Sequence, residues 1–73
     1  MELNLRQAVI NNVKNSDAKQ LGEIIQESVG GEDAVLPGMG VLFELIWTNA
    51  APEIRQQLLQ ILHTSLQSPA NVN

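Results

Sequence analysis

The sequence predicts an all-α fold, a small single-domain bundle of about four short helices. Three observations carry that expectation. Apolar residues recur at three- and four-residue spacing in separate stretches, which marks one face of a helix. Residues that start or stop helices stand between those stretches: Asp17, Gly30-Gly31 and Pro52. The one dense apolar run, Val41 to Trp47, has no strand-like segment elsewhere to pair with, and an unpaired strand would leave its backbone groups unsatisfied.

Leu5, Val9 and Val13 repeat every four residues with Ala8 beside them, flanked by Leu3 and Ile10, so a first helix is expected over roughly residues 3–14. Asn15-Ser16-Asp17 breaks it. Asp17 with Gln20 three positions on is a capping-box arrangement, in which each side chain serves a free backbone N–H of the first turn. Leu21, Ile24, Ile25 and Val29 then give a second amphipathic helix. Gly22 lies inside it, and a close backbone contact with a neighbouring helix would account for a glycine there. Gly30-Gly31 ends it, because glycine adopts the left-handed conformation of a helix C-terminus without a Cβ clash.

Residues 32–40 read as a connector. Leu36 precedes Pro37 and is biased towards an extended backbone, and Pro37 can open a turn or a helix. Gly38-Met39-Gly40 reads as a backbone bend. A phosphate loop would need the GxxxxGK[ST] pattern and a preceding strand. Val41, Leu42, Phe43, Leu45, Ile46 and Trp47 cover more than one side of a third helix, which is expected to be buried on several sides. Thr48-Asn49 is expected to cap a fourth helix with Pro52 and Glu53 in its first turn. Its stripe runs from Ile54 through Leu58, Ile61, Leu62, Ser65 and Leu66, broadened by Leu59. Arg55, Gln56, Gln57, Gln60 and Gln67 form its wet side. One helical domain over residues 1–67 and a flexible tail over 68–73 follow, with the four helices around a common core.

A chain of 73 residues holds one domain, and one so small is marginal without a disulfide, a metal or a partner. There is no cysteine, which removes disulfides and thiolate metal sites, and His63 is the only histidine. Good helix packing or self-association is left as the support. The formal charge of −4 repels nucleic-acid phosphates and anionic headgroups, and Arg6, Lys14, Lys19 and Arg55 are spread along the chain, so DNA is a disfavoured partner. The N-terminus lacks the features of a secretory signal and no apolar run approaches the length of a membrane span, so an intracellular protein without a membrane partner is expected.

Few residues invite chemistry. His63 has Leu59 and Gln67 as helical neighbours, and the adjacent Thr64 and Ser65 have neither an orienting group nor an oxyanion site. A surface histidine is the expected reading. Glu23 and Glu27 share a helix face with Glu32-Asp33 close by, but the spacing of a calcium loop is absent, and a solvated acidic face is expected. Glu44 interrupts the apolar helix and is expected to face water, with an ion pair as the alternative. No catalytic, cofactor or metal-binding residue is assigned, and no small-molecule substrate. Phe43 and Trp47 lie four apart on one helix face. They read first as core anchors, and otherwise, with Met39, as an exposed interaction surface through which the chain could self-associate.

The run Leu36-Pro-Gly-Met-Gly-Val-Leu-Phe-Glu44, followed by Ile46-Trp47, resembles the signature of the small acid-soluble spore proteins of type I, and Leu3 to Val13 resembles the N-terminus of the same family. The resemblance implies synthesis in the developing forespore and residence in the dormant spore core; the partner expected is a second copy of the chain or another spore-core protein. It implies no catalytic or ligand residues. The α/β-type spore proteins share the label and coat DNA, but neither their motif nor their character stands in this sequence, so DNA protection is not implied.

Overall fold

A computed structural model describes residues 4–67 of the chain. Within them four α-helices follow in order, α1 over Leu5–Val13, α2 over Ala18–Ser28, α3 over Leu36–Asn49 and α4 over Pro52–Gln67, with a 3-10 turn at Asp33–Val35 leading into α3. No strand occurs among the described residues. The fold is all-α, as the periodicity requires. The residues expected to form the tail, and Leu3 at the start of the first helix, lie outside the described residues.

Each boundary has a local cause. Asn4 caps α1, its side chain accepting from the Gln7 amide at 2.9 Å. This satisfies one of the free donors of the first turn. At α2 both halves of the capping box form: the Gln20 amide donates to Asp17 Oδ1 at 2.8 Å, and the Asp17 amide donates to Gln20 Oε1 at 3.0 Å. Val29 turns extended, Gly30 takes φ +74°, and the Gly31 amide returns to the Ser28 carbonyl at 3.0 Å. Gly22 is a different case. A Cβ built there meets nothing within 4 Å, so no close helix contact explains it.

Two boundaries differ from the sequence reading. The segment expected to be a connector is the first turn of α3, and Gly38-Met39-Gly40 is helical rather than a bend. Leu36 takes helical angles, φ −62° and ψ −43°, despite preceding proline. Pro37 in the first turn loses no hydrogen bond, since its position needs no amide donor. Gly38 sits where α1 approaches, and a Cβ there would lie 4.0 Å from Val9 Cγ2. Packing of α1 on α3 therefore overrides the local preference of glycine and of a residue before proline. Nothing around Gly40 requires glycine.

Thr48 and Asn49, expected to cap the fourth helix, belong to the end of α3 instead. The Thr48 hydroxyl donates to the Glu44 carbonyl at 2.9 Å, and the Asn49 amide group donates to the Leu45 carbonyl at 2.8 Å. Both side chains serve carbonyls at the C-terminal end of their own helix. Ala50 is extended, and the Arg55 amide donates to the Ala51 carbonyl at 3.0 Å as α4 begins.

The expectation of four helices around one core needs the largest correction. Val41, 8% exposed, is the one buried apolar residue among those described. It shares a helical face with Gly38 and Glu44, two of the positions of α3 that meet α1. Leu42 and Trp47 are half-buried, whereas Phe43, Leu45 and Ile46 are exposed. The third helix is thus covered on one side by α1 and open elsewhere. The radius of gyration is 13.9 Å, against about 11 Å for a compact domain of this length.

Candidate interaction surface

The elbow between α3 and α4 is held by one side chain. Arg55 stands one turn into α4 and was expected on its wet side. It is half-buried, donates from Nε to the Trp47 carbonyl at 2.9 Å, and sets its guanidinium 5.4 Å from the centre of the Trp47 ring. The hydrogen bond engages a carbonyl near the end of α3, where the helix dipole favours a cation. The ring contact adds a cation–π attraction. Sequence spacing alone offered no signal for it, because the two residues lie on different helices.

Beyond the elbow the two helices diverge. Phe43 and Trp47 pack on each other with ring centroids 6.0 Å apart and planes inclined by 32°. They face Leu58, Leu59, Ile61, Leu62 and Ser65 across an open cleft of about 400 Å³. The cleft wall is almost entirely carbon, and most of it is wet: Phe43 is 48% exposed, Leu62 52% and Ile61 63%. Core anchors in the ordinary sense Phe43 and Trp47 are not. Met39 lies elsewhere, in a groove with Val9, Val13, Ile24 and Val35 between α1, α2 and the start of α3. The three residues grouped by spacing are therefore divided, with Phe43 and Trp47 on the α4 side and Met39 half-buried on the α1–α2 side.

Glu44 is both half-exposed and paired. Arg6 of α1 donates to it through Nε at 2.5 Å and through Nη2 at 3.0 Å, a two-pronged bridge between helices 38 positions apart. The hydrogen bond from Arg6 holds the Glu44 carboxyl below its ordinary range, and the same bond raises the already basic Arg6. The pair locks the register of α1 on α3 at the end of the Gly38–Val41–Glu44 face. The expectation that Glu44 simply faces water is corrected by this bond.

His63 is exposed on α4. Among the described residues no three of His, Asp and Glu come together in a way that could hold a metal ion. No helix among them is long and apolar enough to cross a membrane.

The family model described as small, acid-soluble spore protein I matches residues 3–66. The chain belongs to that family. Curated members show the likeness end to end: the chain is 41% identical over 68 residues to the small, acid-soluble spore protein I of Geobacillus kaustophilus, covering 92% of this chain and 99% of the relative. It is 43% identical over 68 residues to that of Bacillus subtilis, covering 92% and 96%. A Bacillus cereus relative is also 43% identical over 68 residues, covering 92% and 99%. No solved structure matches the chain. Family membership makes this a sporulation protein. The matched residues run from α1 to the end of α4, stopping one residue short at Leu66.

Proposed function

We propose that this small acid-soluble spore protein is a non-catalytic component of the spore core, accumulated in the forespore, which works by binding another protein surface through the open side of α3 and α4. The observation that carries the reading is the cleft itself. Apolar side chains from two helices line it, and water covers them in the isolated chain. Large exposed apolar patches on small proteins are interaction sites. The engagement of Arg55 with Trp47 and of Arg6 with Glu44 supports a protein partner over DNA, since two of the four basic side chains are already committed within the fold. His63, with Leu59 and Gln67 as its helical neighbours, supports a non-catalytic role.

Immunodetection in growing cells, sporulating cells and acid extracts of dormant spores of the source organism tests the location. Signal confined to the forespore and spore core is expected, and abundance in growing cells would overturn the reading. A DNA titration at two salt concentrations tests the partner class. Binding to phosphates would weaken steeply with salt, and no such binding is expected.

A further inference from the structure

The open face has a symmetry of its own. Along α4 the apolar positions mirror one another about Gln60: Ile54 with Leu66, Leu58 with Leu62, and Leu59 with Ile61. The positions between mirror as polar, with Gln57 opposite His63 and Arg55 opposite Ser65. Moving the centre by two residues sets Arg55 against Ile61 when it falls at Leu58, and Leu59 against Ser65 when it falls at Leu62. An antiparallel two-fold contact brings residue i against residue j and j against i, and a pattern that reads the same from both ends sets apolar residues against apolar ones in it.

Two further observations select a second copy of this chain as the occupant. The first is area. A compact monomer of 8.0 kDa exposes about 4,500 Å², whereas this chain exposes 6109 Å². A stable dimer of standard size takes about 800 Å² from each partner, so the excess is sufficient. Among the described residues α4 carries more of the exposed large apolar side chains than any other helix, five of eleven: Ile54, Leu59, Ile61, Leu62 and Leu66. The second is charge. Two chains of net charge −4 must meet where the charge is not. Residues 14–33 carry five acidic and two basic groups, while α4 carries Glu53 and Arg55, which cancel. The acidic stretch is thus separate in sequence from the proposed contact, and α4 is both apolar on one face and neutral overall.

We infer that the chain forms a homodimer in which α4 of each copy lies antiparallel to α4 of the other, centred at Gln60, and fills the cleft that Phe43 and Trp47 border. This rests on the reading of the cleft as a binding surface, and not on where the protein resides. Purified protein is the sample, so failure here leaves the spore immunodetection result intact.

Sedimentation equilibrium of the full chain is expected to give twice the chain mass. Ile61→Glu with Leu66→Glu, at two of the most exposed positions, is expected to return the monomer with its far-ultraviolet helix signal kept. Should that pair lose helix, Ile61→Ala with Leu66→Ala serves, weakening association at least tenfold. Register is read on the otherwise unchanged chain from spin labels placed singly at Gln60 and at Gln67. An antiparallel pair centred at Gln60 offsets the two labels along the axis by near zero at Gln60 and by about 21 Å at Gln67, from 1.5 Å per residue. A monomer at every concentration overturns the inference and gives the cleft to a different protein. Equal label separations at both sites, or a dimer indifferent to the substitutions, overturn it as well.

Discussion

Val41→Ala is the substitution that best measures how this chain stays folded. Val41 is 8% exposed and lies on the face of α3 turned to α1, so nearly all of its side chain leaves water on folding. The substitution removes two methyl groups, each worth about 0.8 kcal/mol when buried, or about 1.5 kcal/mol after allowing for residual exposure. A cavity penalty adds little, because the half-open surroundings can collapse or admit water. The total for a domain of this length is about 4–11 kcal/mol, so one valine carries a substantial part. Thermal unfolding followed by far-ultraviolet circular dichroism, at one fixed chain concentration, should show the midpoint fall by about 6–12 °C. Ile61→Ala is the control: at 63% exposed it should change monomer stability by less than about 0.5 kcal/mol. If Val41→Ala costs no more than Ile61→Ala under conditions where the chain is monomeric, the α1–α3 face is not what holds the fold.

Three other perturbations probe separate parts. Asp17→Ala removes one side of the capping box and should destabilise by about 1 kcal/mol in urea unfolding, with Gln20→Ala costing less, because the aspartate serves the donor inside the helix. Gly22→Ala and Gly30→Ala should move stability in opposite directions. The first sits in open helix and gains about 0.5–1 kcal/mol, and the second forces a Cβ onto a residue at φ +74° and loses about 1 kcal/mol, both by urea midpoint. Acidification should weaken the α1–α3 contact through Glu44. Its folded-state carboxyl titrates below the ordinary value of 4.5, so the contribution is present above that value and is lost as pH falls through the depressed one. Glu44→Gln should flatten the part of the stability profile that lies below the ordinary value of 4.5, and an unchanged profile would refute the role of the bridge.

Much of the local structure was legible in the sequence. Asp17 with Gln20, the glycine stop at Gly30, and Pro52 with Glu53 at the start of α4 each act within a few residues, so pattern and propensity suffice to read them. The α3 start was misread because two glycines and a proline argue locally against helix, while the approach of Val9 to Gly38 argues for it from 29 positions away. Thr48 and Asn49 were assigned to the wrong helix for a related reason, since such side chains can serve either the helix before them or the one after. The candidate surface was half legible. Phe43 and Trp47 are found by their spacing, but which neighbours each meets, α4 for these two and α1 with α2 for Met39, is set by distant helices that spacing does not report.

The side-chain hydrogen bonds have one further consequence. Apart from Arg6 with Glu44 and Arg55 with Trp47, every such bond among the described residues joins groups no more than four positions apart. Little chain has to be closed into loops before each helix finds its bonds, and chains wired so locally fold in microseconds to milliseconds. Helices joined by so few distant ties also open one at a time. Amide exchange should therefore protect α3 most, at its contact with α1, and release the far end of α4 soonest. A chain built this way regains its architecture quickly after it is lost, because nearly all of its instructions lie within one helical turn of where they are used.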